Sequence, residues 1–249
     1  MLLCDGYKSA SQKARVFSED WAERTVFCCV CGGNLAKAEN NSRVLDLACL
    51  KCKSGFELKS MRGPLSSKVP DGAFKAMMGR LRSDSSPNFF FLTYDPLHFR
   101  VTNFVAVPAY FLDASVIEPR KPLSPHAVRA GWVGCNIVLN RIPEPGRVFY
   151  VRNSEVIPRP TVLERWRLTA FLRGESNLAR GWVLEVLRCI QSMNARSFTL
   201  QQMYQFEPKL KACFPRNNSI RPKIRQQLQV LRDAGLISFD GRGCYSIAF

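Results

Sequence analysis

Two hydrophobic periods alternate along this chain, and each change of period marks an element. Residues 9–27 place Val16, Phe17 and Trp21 at helical spacing, with Ser9 or Ser11 available to cap the start. Three runs, at 87–94, 103–112 and 146–156, are β-branched and aromatic and bounded by Pro, Gly or Asn, which predicts strands. Between the cysteine-rich region and the first of these runs, residues 71–83 (DGAFKAMMGRLRS) predict a helix. Residues 118–145, rich in Pro and Arg, predict a long ordered loop. Strands mixed with helices in this way predict an α/β layer reaching to about Ser176.

The pattern then becomes helical. Residues 180–194, 197–214 and 217–235 predict three amphipathic helices, the second capped by Thr199 and the third near Asn218 or Ser219. Pro222 is tolerable only in the first turn of that third helix, and Gly235 ends it. Residues 236–249 predict two short strands around an Asp240-Gly241 turn. Three helices followed by a basic-tipped hairpin is a winged-helix pattern. The expected domains are 1–178 and 179–249, with no internal repeat and no low-complexity tract.

Charge narrows the partner. The chain has 249 residues, 46% hydrophobic, with 36 Lys and Arg against 20 Asp and Glu, a formal charge of +16. Such an excess favours a polyanion, because neutralising phosphates releases counterions. Residues 180–249 alone hold 11 Lys and Arg against 4 acidic residues. No run approaches the roughly 18–20 apolar residues of a membrane helix, and the N-terminus lacks a signal peptide's apolar stretch. A cytoplasmic protein that needs no membrane is expected. There the ten cysteines would stay reduced, as metal ligands or small core residues.

Four of them have metal spacing. Cys28, Cys31, Cys49 and Cys52 form C-x2-C-x17-C-x2-C, which suits a closed, structural tetrahedron of thiolates around Zn²⁺. Cys29 is an alternative to Cys28. Gly32 and Gly33 permit a tight turn after the first pair, and Gly55 loosens the chain after the second. Cysteines 4, 135, 189, 213 and 244 are scattered and read as buried or incidental.

A second chemistry is threaded through the same region. Glu57 and Lys59, two apart, share one face of a strand while Phe56 and Leu58 take the other. Asp46 stands in an apolar run, 44–47, that also reads as strand. If the second cysteine pair is the turn between these strands, Asp46 and Glu57 converge on one hard cation, with Lys59 beside it. Carboxylates suit Mg²⁺, and a lysine can orient a water and stabilise charge on a phosphorane. Alone, E-x-K is common in basic proteins and equally describes a solvated strand. Asp46 adds weight, because an unpaired carboxylate is costly among apolar neighbours.

Together the interleaved cysteine pairs, Asp46 and E-L-K resemble the DpnI-type, methyl-directed restriction endonucleases. So do the collinear runs YKSASQKAR, NFFFLTY, RKPLSPHAVRAGWVGCNI, IRQQLQVLRD and GRGCY, which span nearly the whole chain. The resemblance implies a PD-(D/E)xK nuclease domain with a zinc-binding insertion, joined to a C-terminal winged helix. It implies Mg²⁺-dependent cleavage of double-stranded DNA at GATC carrying N6-methyladenine, by a bacterial enzyme expected to be monomeric in solution. Asp46, Glu57 and Lys59 would be catalytic, with Mg²⁺ on Asp46, Glu57 and the Leu58 backbone carbonyl. The leading Pro is absent, since Leu45 precedes Asp46. The zinc insertion would grow from the catalytic hairpin and hold its strands in register, with Lys51 and Lys53 widening the DNA cleft.

On the third C-terminal helix, Ile224, Leu228 and Leu231 should face the core. The opposite face, with Arg225, Gln226, Gln229 and Arg232 after Ser219 and Arg221 in the first turn, would enter the major groove N-terminal end first. A merely solvated basic face is the plain alternative. Trp132, between glycines in the basic loop, reads either as a core residue or as an aromatic probe of the methylated site, with Arg129 on phosphate. Trp166 and Trp182 lie on helical patterns and read as core. Arg242 at the wing tip reads as a phosphate contact, while His98 and His126 have no evident catalytic partner. Two rival functions stand beside this one: a non-catalytic zinc-ribbon and winged-helix reader of methylated DNA, and a repair nuclease of the same fold.

Overall fold

The structure is a computed structural model that describes residues 9–38, 45–83, 85–98 and 100–249. Val44, Cys4, Tyr7 and Lys8, and the side chain of Ser11, lie outside the described residues. By compactness the chain divides into two units, residues 1–140 with 146–166, and residues 141–145 with 167–249.

The first unit is built on a seven-stranded sheet. In chain order the strands are β1 (Leu35–Lys37), β2 (Leu47–Cys49), β3 (Gly55–Arg62), β4 (Lys68–Ala73), β5 (Asn88–Asp95), β6 (Arg100–Val107), β7 (Ile117–Pro119), β8 (Gly134–Val138), β9 (Val148–Arg152) and β10 (Glu155–Val156). The large sheet runs β1-β2-β3-β5-β6-β9-β10, and β4-β8-β7 form a small sheet of their own. Only β3 and β5 pair in parallel in the large sheet, and the crossover between them carries β4 and helix α2 (Phe74–Arg82). Phe89, Phe90, Phe91 and Leu92 of β5 are all fully buried, so this central strand is covered on both faces. Helix α1 (Ala10–Thr25) packs on one face, where Trp21, Phe56, Phe90, Phe104 and Tyr150 share a core cluster with Cys28 and Cys49. Trp166 of helix α3 (Arg159–Thr169) and, in the second unit, Trp182 are buried as expected.

Three sequence expectations need correction here, the first being the strand predicted over 103–112, which ends at Val107 before Pro108 and a 3-10 turn at Ala109–Phe111. Asp71, Gly72 and Ala73 belong to β4, so the predicted 71–83 helix begins only at Phe74. Pro70 and Gly72 hide this strand from pattern reading, and both are tolerated because β4 is an edge strand with its irregularity at Gly72. The predicted loop 118–145 is interrupted by β8 and two 3-10 turns, so the irregular stretch shortens to 120–133. It is tied by its own backbone, with Leu123 N–H donating to Trp132 O at 2.9 Å and Gly131 N–H to Leu123 O at 3.1 Å.

The second unit contains α4 (Asn177–Ser192), β11 (Ser197–Thr199), α5 (Leu200–Tyr204), α6 (Glu207–Cys213), α7 (Ile220–Asp233), β12 (Ile237–Gly241) and β13 (Cys244–Ile247), with a sheet ordered β11-β13-β12. This is a winged-helix arrangement. The single helix predicted over 197–214 is β11 followed by two short helices, because Pro208 lacks an N–H and clashes with the carbonyl four residues back. Thr199 does cap α5, in a reciprocal box with Gln202. Helix α7 ends in a Schellman turn: Gly235 N–H bonds Arg232 O at 2.9 Å and Leu236 N–H bonds Leu231 O at 2.9 Å, with Gly235 at φ +74°.

Candidate active site and zinc centre

The β2–β3 hairpin forms as the spacing suggests. Leu47 pairs with Phe56 and Ala48 with Gly55, and the second cysteine knuckle is the turn between them. A Cβ on Gly55 would lie 2.7 Å from Leu45, so the glycine serves close approach of the strands rather than looseness. On β3, Phe56 and Leu58 pack with the core cluster, while Glu57 and Lys59 take the other face, in register with Phe89 and Phe91. Lys59 Nζ lies 2.5 Å from Glu57 Oε1 and also contacts Asp71 Oδ1 of β4. Arg80 of α2 completes the group, its Nη1 donating to Glu57 Oε2 at 3.2 Å and its Nη2 lying 3.7 Å from Asp71 Oδ2.

Burial pushes the Glu57 carboxyl up, against the pull of Lys59. Burial also works to lower Lys59, yet Glu57 and Asp71 raise it above the ordinary lysine range. Both partners rise: at Glu57 burial dominates and Asp71 adds to it, whereas Lys59 gains from two carboxylates. The charged form of Lys59 is therefore secure.

Asp46 reaches the same hairpin by a different route. Its N–H donates to Phe56 O at 3.0 Å, and its carboxylate Oδ2 accepts from Leu58 N–H at 2.8 Å. Backbone groups of residues 56 and 58 face the same edge of β3, and β2 has already departed at Leu47↔Phe56. The Leu58 peptide is thus left to the Asp46 side chain. Oδ1 of Asp46 also accepts from Arg15 Nη2 of α1 at 3.1 Å, and that guanidinium binds Glu19 at 2.5 Å. Asp46 sits one peptide from Glu57, while the carboxylate brought directly to the Glu57–Lys59 pair is Asp71. Sequence reasoning missed Asp71 and Arg80, because a residue assigned to a helix start gives no sign that it reaches a strand twelve positions away.

The cysteines do cluster. One sulfur from each of Cys28, Cys31, Cys49 and Cys52 lies within 4.8 Å of the others, and among the described residues this is the one such group of three or more His, Cys, Asp or Glu donors. Cys28 and Cys52 sulfurs are 3.6 Å apart, Cys31 and Cys49 sulfurs 3.5 Å, and none of the described cysteines is in a disulfide. Thiolates each about 2.3 Å from one tetrahedral zinc would be separated by roughly 3.8 Å. Amide donors support the sulfurs in both knuckles, Gly33 N–H to Cys31 and Cys52 N–H to Cys49, each at 3.4 Å. The residue after each knuckle is left-handed, Gly32 at φ +76° and Lys53 at φ +61°. The donor set therefore fits zinc. Cys29 is outside the cluster and buried in the core, which leaves Cys28 as the candidate ligand. Burial pushes the Cys28 thiol up; for Cys52 the opposing pull of Ser54 and the neighbouring thiols wins, and it falls to about 6.

The expected DNA-contacting residues fall in two places. Trp132 is half-buried, its ring within 2.8 Å of where a Cβ on Gly134 would stand, and Arg129 is exposed on the same loop. In the second unit Ile224, Leu228 and Leu231 are buried, and Ser219, Arg221, Arg225, Gln226, Gln229 and Arg232 are exposed. Several of these are already braced: Arg225 Nη1 donates to Tyr204 Oη at 2.8 Å, Arg221 Nε pairs with Glu207 at 2.7 Å, and Gln229 Nε2 donates to Asp233. Arg242 occupies the wing turn at φ +50°, exposed between two glycines. No helix among the described residues is long and apolar enough to cross a membrane.

Two family profiles match the chain. Residues 1–175 match DpnI, the Dam-replacing family, and residues 178–246 match the helix-turn-helix domain of the same Dam-replacing proteins. Together they extend over both the hairpin bearing the cysteine and carboxylate clusters and the winged helix. The chain is a member of the DpnI, Dam-replacing family: a nuclease with a C-terminal DNA-binding helix-turn-helix domain.

Proposed function

We propose that this protein is a methyl-directed type II restriction endonuclease of PD-(D/E)xK type, hydrolysing double-stranded DNA at GATC sites that carry N6-methyladenine. Residues 1–178 would cut, and both they and residues 179–249 would read DNA. The observation that carries the reading is the hairpin itself: Glu57 and Lys59 side by side on β3, with the Asp46 carboxylate on the intervening Leu58 peptide. Asp46, Glu57 and the Leu58 carbonyl are oxygen donors of the kind Mg²⁺ takes. Mg²⁺ bound there would supply a water of lowered pKa and a Lewis-acidic contact to the scissile phosphate. Lys59, held as an ammonium by two carboxylates, would orient the attacking water and stabilise negative charge growing on the phosphorane oxygens.

Reading follows from apolar chemistry in the major groove. N6-methylation adds a methyl group and removes one amino hydrogen, so an apolar or aromatic surface gains where a bidentate amide loses. Trp132 is the candidate probe, with Arg129 on phosphate. Helix α7 would present Ser219, Arg221, Arg225, Gln226 and Gln229 to the groove, and Arg242 would hold the backbone. The zinc would keep the hairpin in register, as a structural metal.

The test uses one plasmid in two preparations, adenine-methylated at GATC and unmethylated, incubated with Mg²⁺ and with either the protein or Asp46→Ala. Discrete fragments from the methylated plasmid only, lost in the variant, are expected. Cutting of both plasmids would discard methyl direction and favour a repair nuclease. Retention of methylated DNA on a gel without cutting would favour a reader.

A further inference from the structure

Strand β4 delivers to the Glu57–Lys59 face a carboxylate that the cleavage chemistry above does not use. The Asp71 side chain is only 3% exposed, and its Oδ1 contacts Lys59 Nζ. Its Oδ2 accepts no hydrogen bond among the described residues, with Arg80 Nη2 3.7 Å away. A carboxylate so buried is costly unless paired, and Lys59 is its principal partner. Lys59 is thus shared between Asp71 and Glu57, and Arg80 straddles the same two acids. A cation drawn to Glu57 must compete with Lys59 for that carboxylate. With a second counter-ion already in place, the ammonium does not depend on Glu57.

We propose that Asp71 is a positioning residue of the cleavage site: it holds the Lys59 ammonium in place while Glu57 is released to the metal. The inference rests on the reading of Glu57 as a metal ligand. Arg80 keeps the arrangement rigid by bracing both acids from α2. Asp71 itself stays off the cation, since its own charge is committed to Lys59 and Arg80.

The experiment is an Mn²⁺ titration of the full-length, zinc-loaded protein followed by electron paramagnetic resonance, with single-turnover cutting measured in parallel. The variants are Asp71→Asn, Asp71→Glu, Glu57→Gln, Lys59→Met and the Lys59→Met/Asp71→Asn pair. Asp71→Asn should weaken Mn²⁺ binding roughly tenfold, because Lys59 then leans on Glu57 alone, and in the Lys59→Met background the same change should move affinity by less than about twofold. Asp71→Glu, which keeps the charge, should stay near the wild type in affinity and recover most of the cutting. Unchanged affinity in Asp71→Asn, beside a clear loss in Glu57→Gln, would overturn the positioning role alone. Equal weakening by Asp71→Asn with and without Lys59 would also overturn it, by making Asp71 a ligand. Wild-type affinity in Glu57→Gln would instead sink the metal-ligand reading on which the inference stands. Asp71→Ser serves the same comparison if the Asn variant loses its zinc.

Discussion

At the residue scale, the chain concentrates ionisable groups where burial makes each depend on its neighbours. Glu57, Lys59, Asp71 and Arg80 form a group of two acids and two bases, so its net charge is near zero although every member is largely buried. Removing one partner from such a group leaves an uncompensated charge, which costs far more than the pair contributes. The four-cysteine cluster depends on the opposite property, the absence of atoms. A Cβ at Gly33 would stand 3.3 Å from Cys49 Sγ, 3.4 Å from Cys31 Sγ and 3.0 Å from Lys51 Cβ. Gly33→Ala should therefore push the two knuckles apart and destabilise the first unit by about 1–3 kcal/mol, the usual range for overpacking. Thermal melting with zinc content measured in parallel checks this. An unchanged melting temperature with full zinc would mean that the knuckles have slack the distances do not suggest.

At the element scale, α7 separates buried from exposed residues by face. Ile220, Ile224, Gln227, Leu228 and Leu231 are buried, while Arg221, Arg225, Gln226, Gln229 and Arg232 are exposed. Leu228→Ala should cost about 2–5 kcal/mol, because it removes buried methyl groups and leaves a cavity. Arg225→Ala should leave stability within about 0.5 kcal/mol, as exposed substitutions usually do, yet weaken DNA binding and flatten its salt dependence by about one phosphate contact. Chemical denaturation and binding at several salt concentrations separate the two effects. If Arg225→Ala binds as the wild type does at every salt concentration, this face is merely solvated and the reading surface lies elsewhere. The pairing of Arg225 with Tyr204 Oη argues for a braced side chain with less freedom to lose on binding.

At the scale of the whole molecule, the zinc knuckles sit in the same buried cluster as the large sheet's aromatics, through Cys28, Cys49, Phe56 and Phe90. Metal binding at a closed thiolate site contributes about 10–16 kcal/mol to folding in small zinc peptides. Stripping zinc with a strong chelator should abolish one of two calorimetric transitions, along with cutting, and leave the transition of the helix-turn-helix unit. Retention of both transitions after metal analysis shows zinc gone would mean that the core alone holds the first unit. The formal charge of +16 acts at this scale too, favouring association with DNA of any sequence.

Much of this was legible in the sequence for definite reasons. The cysteine spacing announced the four-cysteine cluster because tetrahedral thiolate binding needs short, paired ligands. The 3.6-residue period of α7 announced its buried face, and the period of two on β3 put Glu57 and Lys59 together. Each of these depends on neighbours a few positions apart. Asp71 and Arg80 were not legible, since they arrive through an edge strand disguised by Pro70 and Gly72 and through the helix after it. Nor was the bond from Leu58 N–H to Asp46, which depends on where β2 leaves β3. Local chemistry and periodicity are written in the chain; which distant charge is left to neutralise a buried one is decided only when the strands have packed.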